Sequence, residues 1–566
     1  DISWHAFPFN GEPELFTPEL FDAALNLTFE QDALSHHAPR RTLSLRDVPG
    51  LTRNSVPLLA KRGISAISVG ENSQVAPSAL PPIFVWEDER SRTSVIALFH
   101  ALGYGGAWPS RRRLGARAQG LGGVAAAVRD GKQSDRRFYQ DSNGVLVMTD
   151  EADPFDDGPG LRLLDGQVLG GGSQSESCVP VAPAGVALCL AWRPDNTGPH
   201  GYFESQLLFD KVRLLFPNAD VKASDGFDDF VAAITPYKKS LPVIKAEIGD
   251  TWVMGATADP LKVALYRAAS RAHARCTQRA SCVADSGGAA ALRAFERLLM
   301  VAGEHTWGWN GGHIRSKSWS NEELRASLES DEQFQTAVVG WKEQRAILRN
   351  AVAALPPAAP LAQRIVAAFA EIEGGKTPFD GRGLADLDRS SLCRCGEYDV
   401  GFGADGSITS LRQRASGLEL ASAAHPLARL WYHGMGHAYF KRFAREYVAG
   451  ISAILPELAA ENLYKPNLRL EPLSANASLT RLRASPASSG SGAAGSQDIL
   501  LDMRFPARLH GERGAPATAQ ALLRCEASTI SYTLRWFNKT ATHAPETIWL
   551  SNQPIGFTDA AGARTL

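Results

Sequence analysis

The sequence places an acidic residue where a short β-prone run ends and a turn begins. Asp47 closes the run TLSLRD at 42–47, and Val-Pro-Gly follows it. A helix predicted over 55–62 closes on Gly63 before the next β-prone run. Because reactive groups of α/β folds gather at the carboxyl ends of strands, Asp47 is the first candidate for chemistry. The alternative is a turn residue whose carboxylate accepts hydrogen bonds from nearby backbone N–H groups.

Elements that would position Asp47 alternate along the first part of the chain, residues 1–256. Short runs rich in β-branched residues, bounded by Gly and Pro, predict buried strands at 64–69, 93–99 and 185–192. Helical patterns lie between them at 20–29, 55–62, 203–216 and 227–235. This alternation favours a parallel α/β core, which we expect to form an incomplete, barrel-like (β/α) domain. The glycine- and charge-rich stretch 111–172 is expected to loop over that core.

The remaining chain changes character twice. Residues 257–375 carry apolar residues at helical spacing and predict a helical bundle, with helices at 260–275, 289–301, 321–355 and 361–372. Residues 376–566 predict a β-sandwich, with a hairpin around Asp405-Gly406 and further strands at 530–537 and 547–550. A Ser/Gly-rich tract near 484–497 is expected to be a loop within it.

The composition limits the classes of function. The chain has 566 residues, enough for several domains, and a formal net charge of -1, so no nucleic-acid partner is expected. No uninterrupted apolar run is long enough to span a bilayer.

Of the seven cysteines, Cys276 and Cys282 are close enough to pair. Glycosylation sequons at Asn26, Asn476 and Asn538 favour the secretory route without establishing the compartment.

Five segments, in this order, resemble the family 38 glycoside hydrolases, the zinc-dependent α-mannosidases. The chain is most similar to an uncharacterised bacterial and eukaryotic branch related to that family. The resemblance extends over nearly the whole chain and rests on the order of the segments as well as on their motifs. The segments are RDVPG at 46–50 with 57–63, PPIFVW at 81–86, PDNTG at 194–198, 241–252 with 259–267, and GEHTWG at 303–308.

The resemblance implies a set of catalytic and metal-binding residues. Retaining hydrolysis of a glycoside needs two carboxyl groups about 5 Å apart, one as nucleophile and one as acid/base. The family pattern assigns these roles to Asp47 and Asp195, and it makes Asp47 and His305 zinc ligands. Zinc would hold the sugar hydroxyls and act as a Lewis acid. The alternatives are that Asp195 merely caps the following helix and that His305 is a core residue.

The resemblance also implies a set of substrate contacts with aromatic or hydrogen-bonding side chains. Tryptophan supplies apolar faces for sugar rings, although tryptophan more often simply fills a core. Glu247 and Asp250 are candidates for direct contact or for support of the groups that make contact. The complete set is Trp4, His5, Trp86, Glu247, Asp250, Trp252 and Trp307.

Two departures from the family pattern matter. The family's first strand carries a His-x-Asp pair that supplies two zinc ligands, and no such pair precedes Asp47. Segment 4–8 corresponds to a later part of the pattern, which would place that strand upstream of residue 1. An aspartate pair is expected at the acid/base position, where this chain has Asp195-Asn196, so the identity of the acid stays open.

Three functions fit these observations. The first is a zinc-dependent retaining glycosidase of α-mannosidase type, acting on α-linked sugars. The second is a non-catalytic carbohydrate-binding relative that has lost the metal. The third is a metal-dependent hydrolase of a non-sugar substrate. In the first two cases the partner is a carbohydrate, and the sequence leaves the sugar, the linkage and the oligomeric state open.

The missing ligand pair generates a first prediction. We expect the chain 1–566 to bind zinc weakly and to lack turnover, because two of the ligands that the resemblance requires are not in it. Zinc titration by calorimetry and an assay with aryl α-glycosides test this expectation. Robust turnover by the 566-residue chain alone would contradict it.

Overall fold

The computed structural model describes residues 3–47, 51–71, 80–100, 139–140, 146–147, 161–162, 168–169, 178–190, 202–215, 217–224, 226–248, 256, 259–304, 318–447, 468–486, 497–526 and 528–555. The chain forms two compact units. Unit 1 comprises Asp1–Gly312, Thr336–Glu373 and Ala444–Asn462. Unit 2 comprises His313–Gln335, Gly374–Phe443 and Leu463–Leu566. The three-part division at 256/257 and 375/376 stays a prediction.

Unit 1 contains a five-stranded mixed sheet in the order β1-β2-β4-β3-β11. Strands β1, β2 and β4 are parallel, β3 is antiparallel to β4, and β11 is parallel to β3. Three short antiparallel pairs lie outside this sheet: β5–β6, β7–β8 and β9–β10. The strands are β1 Thr42–Asp47, β2 Ala66–Glu71, β3 Ile83–Asp88, β4 Thr93–His100, β5 Tyr139–Gln140, β6 Leu146–Val147, β7 Leu161–Arg162, β8 Val168–Leu169, β9 Cys178–Val181, β10 Val186–Cys189 and β11 Val243–Ile244.

Most of the helices begin close to the residues that the sequence predicts. Capping explains several starts: Thr17 accepts a hydrogen bond from the Leu20 N–H, and Asp259 does the same for Lys262. Proline follows each of these capping residues. At the first helical position proline loses no hydrogen bond, because an N–H there would have no partner within the helix. The α-helices are α1 Pro18–Leu34, α2 Ser55–Lys61, α3 Tyr202–Leu215, α4 Phe227–Ile234, α5 Pro260–Thr277, α6 Cys282–Asp285, α7 Ala289–Val301, α8 Asn321–Ser330, α9 Glu332–Ala353, α10 Pro360–Glu373, α11 His437–Tyr447 and α12 Ala507–Arg513.

The sheet of unit 1 is buried on both faces. Leu45, Val69 and Phe99 belong to a core shared with helices α1, α5, α7 and α10. Ile96 and Leu98, on the other face, pack in a second core that includes the aromatic residues of α4. Burial on both faces explains why β3 and β4 contain the continuous apolar runs IFVW and VIALF rather than an alternating pattern.

Two expectations for the first domain need correction, and a third stays open. The sheet is mixed because only four residues join β3 to β4, and a parallel connection needs a dozen or more. Among the described residues, the predicted strand at 185–192 is the shorter, half-buried β10, which pairs with β9 outside the main sheet. The five main strands described form an open sheet with β1 and β11 at its ends, and the incomplete barrel stays a prediction.

Unit 2 is built on three antiparallel sheets that share one core. Their orders are β12-β18-β19-β20-β21, β13-β14-β15 and β17-β16-β22. The hairpin predicted around Asp405-Gly406 is confirmed as β14–β15. The predicted loop at 484–497 lies mostly outside the described residues. The strands are β12 Ala385–Leu387, β13 Cys393–Cys395, β14 Tyr398–Phe402, β15 Ile408–Gln413, β16 Arg429–Gly434, β17 Leu473–Asn476, β18 Ser478–Ala484, β19 Ile499–Arg504, β20 Thr518–Glu526, β21 Thr529–Phe537 and β22 Glu546–Ser551.

Disulfides occur in both units. The predicted pair Cys276–Cys282 is confirmed, with six residues of sequence separation. Cys395 in β13 is bonded to Cys525 in β20 across a separation of 130 residues. Cys189 is also disulfide-bonded, and Cys393 is a free, buried cysteine. Disulfides are typical of oxidising compartments, in line with the secretory route that the sequons favour.

Within the described residues, no helix has the length and apolarity needed to cross a membrane.

The two bridges differ in the length of chain that they close, which generates a prediction. In the chain-entropy description, the Cys395–Cys525 bridge stabilises the folded state by about 4–5 kcal/mol and the Cys276–Cys282 bridge by about 2 kcal/mol. We expect the double variant Cys395→Ala/Cys525→Ala to lose more unfolding free energy than Cys276→Ala/Cys282→Ala. Urea denaturation of both variants measures the difference. Equal losses would contradict the loop-length argument.

Candidate functional site

Asp47 ends one of three parallel strands that stop at the same edge of the sheet. Asp47 is in register with Glu71, the last residue of β2, and His100 at the end of β4 is in register with Gly70. The backbone therefore places two carboxylate residues and one imidazole residue at neighbouring strand ends. Of these three residues, the sequence pattern singled out only Asp47. The available signal was that β2 and β4 also end on an ionisable residue.

Arg46 fixes the strand ends beside Asp47. Its side chain is buried, and it donates hydrogen bonds to the backbone oxygens of Leu45 and Ser68 at 2.8 and 2.9 Å and to the Ser68 hydroxyl at 2.7 Å. The Arg46 N–H donates to Oδ1 of Asn10 at 3.0 Å. These bonds join β1, β2 and the N-terminal segment, so the backbone that carries Asp47 is held from both sides.

His5, one of the predicted substrate contacts, lies close to this buried cation. Burial lowers the pKa of His5 to about 4, and the neighbouring Arg46 and Arg40 contribute to the shift. The imidazole is therefore neutral at physiological pH. Its Nδ1 is buried and has no hydrogen-bond partner among the described residues. The structure thus brings His5 near the residue preceding Asp47.

Two predicted tryptophan contacts have structural partners. Trp4 donates a hydrogen bond from Nε1 to Oδ1 of Asp32 at 2.6 Å, and the Arg40 guanidinium lies 5.4 Å from its ring centre. Trp86 has no exposed surface, and its Nε1 donates to the backbone oxygen of Ala246 at 2.9 Å. A fully buried indole has no face available to a sugar ring, so the assignment of Trp86 as a substrate contact is corrected to a core role.

Glu247 lies away from the edge where Asp47 ends. It accepts a hydrogen bond from the Arg53 N–H at 2.6 Å, and the Arg53 Nε is 3.7 Å from Oδ1 of Asp88. Asp88 ends β3 and Glu247 follows β11, and these two strands run opposite to β1. Asp47 and Glu247 therefore leave the sheet at opposite edges, and the structure does not bring them together.

Glu14 is a carboxyl group that sequence analysis did not single out. Burial raises its pKa to about 7, and the nearby Glu247 carboxylate contributes to the rise. Its Oε1 is buried without a hydrogen-bond partner among the described residues. A carboxyl group that exchanges its proton near neutral pH is suited to acid or base chemistry.

A buried charge cluster lies where the chain leads into the predicted zinc ligand His305. The Lys262 side chain is 1% exposed, and its Nζ donates to Oε1 of Gln344 at 3.2 Å. Burial lowers the pKa of Lys262 to about 8, against the opposing effect of the carboxylates of Asp259, Glu12 and Glu304. These carboxylates therefore offset part of the positive charge of the ammonium.

The same cluster anchors the backbone that precedes His305. Arg345 holds the Asp259 carboxylate with two hydrogen bonds, at 2.8 and 2.9 Å. The Glu12 N–H donates to the Gly303 oxygen at 2.9 Å, and Gly11 forms an antiparallel bridge with Glu304. Residues 303–304 are therefore fixed to the N-terminal segment that also contacts β1.

The other predicted site residues lie outside the described part of the chain. These are Asp195, Asp250, Trp252, His305 and Trp307, together with the side chain of Asp47. Within the described residues, no group of three or more His, Cys, Asp and Glu side chains is arranged to hold a metal ion. Zinc binding and the assigned catalytic roles stay predictions.

Comparison with known proteins gives a partial family match. Residues 256–530 match a family described as "Domain of unknown function (DUF5054)". No curated protein matches the chain. An alpha-mannosidase from Enterococcus faecalis V583 is similar in structure with 10% identity and a TM-score of 0.47, over 96% of this chain and 65% of that one. A 4-alpha-glucanotransferase from Thermococcus litoralis has 7% identity and a TM-score of 0.21, over 97% and 86%. Neither structural similarity is close enough to carry an argument about function.

The ion pair between the partly exposed Arg345 and the buried Asp259 generates a prediction about stability. We expect Arg345→Met to lower the unfolding free energy by about 1–3 kcal/mol, because the buried Asp259 carboxylate loses two hydrogen bonds and, among the described residues, keeps only its contacts with Lys262. Arg349→Met, on the same helix, removes an exposed pair with Glu373 and should cost less than about 1 kcal/mol. Urea denaturation of the two variants measures the difference. Equal losses of unfolding free energy would contradict the claim that the Arg345–Asp259 pair stabilises the fold more than the exposed pair does.

The raised pKa of Glu14 generates a prediction about pH dependence. Between the ordinary carboxyl pKa and about 7, the folded state holds a proton that the unfolded state releases. Glu14 should therefore contribute a decrease of up to about 3 kcal/mol in the unfolding free energy as the pH rises from 5 to 8, measured as the difference between the wild type and Glu14→Gln. Taking this difference removes the opposite contribution of His5, whose lowered pKa makes the unfolding free energy rise with pH over the lower part of this range. Glu14→Gln should remove this decrease, whereas Glu30→Gln, at an exposed position of α1, should retain it. Thermal denaturation across this pH range tests the expectation, and an unchanged profile in Glu14→Gln would refute it.

Proposed function

We propose that this chain carries the catalytic aspartate of a zinc-assisted retaining glycosidase of α-mannosidase type, which acts on α-linked sugars. The observation that carries the proposal is the position of Asp47. It ends β1 within the motif RDVPG, at the sheet edge where β2 and β4 also end. The order of the five family-like segments supports the same assignment.

The proposed chemistry divides between two carboxyl groups. Asp47 attacks the anomeric carbon, and the bond to the leaving oxygen breaks as Asp195 donates a proton to that oxygen. Asp195 then takes a proton from water, which attacks the glycosyl ester on Asp47 and releases the sugar with its anomeric configuration retained. Holding both carboxyl groups in place requires rigid supports, which Arg46 can provide for Asp47.

Asp47 and His305 are the residues that would hold zinc. The residue types at this sheet edge fit such an ion, since carboxylate oxygen and imidazole nitrogen are preferred zinc donors. When bound, zinc would supply a Lewis acid that orients the sugar hydroxyls. The anchoring of residues 303–304 by Glu12 supports the proposal, because it fixes the backbone from which His305 extends. The neutral His5 beside Arg46 remains a candidate contact for a sugar hydroxyl.

The test uses Asp47 variants of the natural protein. We expect Asp47→Ala to lose bound zinc, and Asp47→Asn to lower kcat on aryl α-mannosides at least about a thousandfold, because the nucleophile is removed. Zinc content measured by mass spectrometry and steady-state rates are the readouts. Glu89→Gln, an exposed carboxylate at the opposite sheet edge, should behave as the wild type.

The outcomes separate the three candidate functions. Equal zinc content in the wild type and Asp47→Ala would refute the central assignment. Zinc binding without turnover of any aryl glycoside would favour a hydrolase of a non-sugar substrate. Sugar binding with neither zinc nor turnover would favour the non-catalytic relative. Retention of configuration in the first product, observed by NMR, would support the two-step mechanism.

A further inference from the structure

The outward face of the sheet β17-β16-β22 in unit 2 carries a row of aromatic rings. Trp431 in β16 and Trp549 in β22 are direct cross-strand neighbours, with ring centroids 5.8 Å apart and planes at 15°. His433 stacks on the other side of Trp431 at 5.6 Å and 25°, and the Tyr439 ring meets His433 edge-on at 5.8 Å. We call these four residues the aromatic row.

The aromatic row faces away from the core of unit 2. Along β16 the intervening residues Leu430 and Tyr432 are buried, so Trp431 and His433 belong to the opposite face. Trp549 is 45% exposed and Tyr439 is 43% exposed. Trp431 and His433 are partly buried beside them. Aromatic side chains that contact one another and keep exposed surface form a face on which an apolar ligand group can stack.

A set of hydrogen-bonding groups borders the aromatic row. Oδ2 of Asp405 accepts a hydrogen bond from Nδ2 of Asn476 at 3.3 Å and lies 3.4 Å from the Arg429 Nε. Asn476 is the cross-strand neighbour of Trp431 on the β17 side, and Arg429 precedes Trp431 by two residues on the same face. We call Asp405, Arg429 and Asn476 the polar rim.

The polar rim is held in place by further contacts. Oδ1 of Asp405 accepts hydrogen bonds from the N–H and the hydroxyl of Ser407, at 3.0 and 2.5 Å. Nε1 of Trp431 donates to the Ser551 hydroxyl at 2.8 Å, which fixes the indole beside the rim. Fixed side chains lose little conformational entropy when a ligand binds, so the surface is pre-organised.

We propose that the aromatic row and the polar rim form a binding site for a neutral oligosaccharide. A pyranose ring has an apolar C–H face, which matches an exposed indole, and a border of hydroxyl groups, which matches a carboxylate, a guanidinium and an amide side by side. The charges of Asp405 and Arg429 cancel, which favours an uncharged ligand over an anionic one. This inference goes beyond the proposed function, because it requires neither Asp47 nor zinc.

The experiment measures sugar binding by the chain carrying Asp47→Asn, which prevents turnover. The protein is produced in a host without N-glycosylation, since a glycan on the sequon residue Asn476 would cover the surface. Calorimetric titration uses α-linked mannotetraose and maltotetraose as probes. We expect binding of at least one probe, weakened about tenfold or more by Trp549→Ala.

Matched variants distinguish a specific site from general loss of structure. Trp536 in β21 is also 45% exposed but lies in a different sheet, so Trp536→Ala should change the affinity less than about twofold. Trp549→Phe keeps an aromatic face and should weaken binding less than Trp549→Ala does. Asn476→Ala should also weaken binding, because it removes a donor and loosens Asp405.

Three outcomes would overturn the proposal. The first is the absence of binding by either probe at millimolar concentration. The second is an equal loss of affinity in Trp536→Ala and Trp549→Ala. The third is a dimer in sedimentation that Trp549→Ala dissociates, without sugar binding, which would make this face a contact between copies of the chain. Because Asp47 is replaced throughout, failure of the glycosidase proposal does not affect any of these results.

Discussion

Burial of the five-stranded sheet on both faces is the constraint on which unit 1 depends. Residues of β2, β3 and β4 alternate between two cores, one formed with α1, α5, α7 and α10 and the other with α4, and β1 contributes Leu43 and Leu45 to the first core. Such strands cannot carry charged residues along their length unless each charge is compensated. Ionisable residues are therefore confined to strand ends or to compensated positions, and Asp47, Glu71 and His100 are at strand ends.

Two buried cations show how unit 1 accommodates charge near these ends. Arg46 donates hydrogen bonds from Nη1 and Nη2 to backbone and hydroxyl oxygens of β1 and β2. Lys262 lies among the carboxylates of Asp259, Glu12 and Glu304, and Arg345 binds Asp259 in turn. In both places a buried charge holds segments that are distant in sequence. Rigid supports of this kind are what a catalytic carboxylate or a metal ligand needs around it.

Unit 2 follows a different rule, because its antiparallel sheets share a single core. In β16 every second residue enters that core and the others remain on the outward face. One-sided burial leaves room for a functional surface on the other side of the sheet. The aromatic row lies on this outward face. Trp431 and His433 come from β16, and strand pairing places Trp549 of β22 beside them.

Local patterns in the sequence determined the parts of the fold that depend on neighbouring residues. Three examples are helix α2, the hairpin around Asp405-Gly406 and the Cys276–Cys282 bridge. Helix capping, turn formation and the pairing of close cysteines each depend on residues that are near one another in the chain. The position of Asp47 at a strand end followed from the same kind of signal. Its nucleophilic role and its zinc partner His305 came only from the family resemblance and stay proposals.

Only the tertiary structure decided which distant residues meet. It separated Glu247 from Asp47, because strand direction determines the edge at which each chain segment leaves the sheet. It buried Trp86, raised the pKa of Glu14, and placed Trp549 beside Trp431. The physical reason is common to all of these: burial and strand pairing are set by residues far apart in the chain, and no local sequence pattern records them.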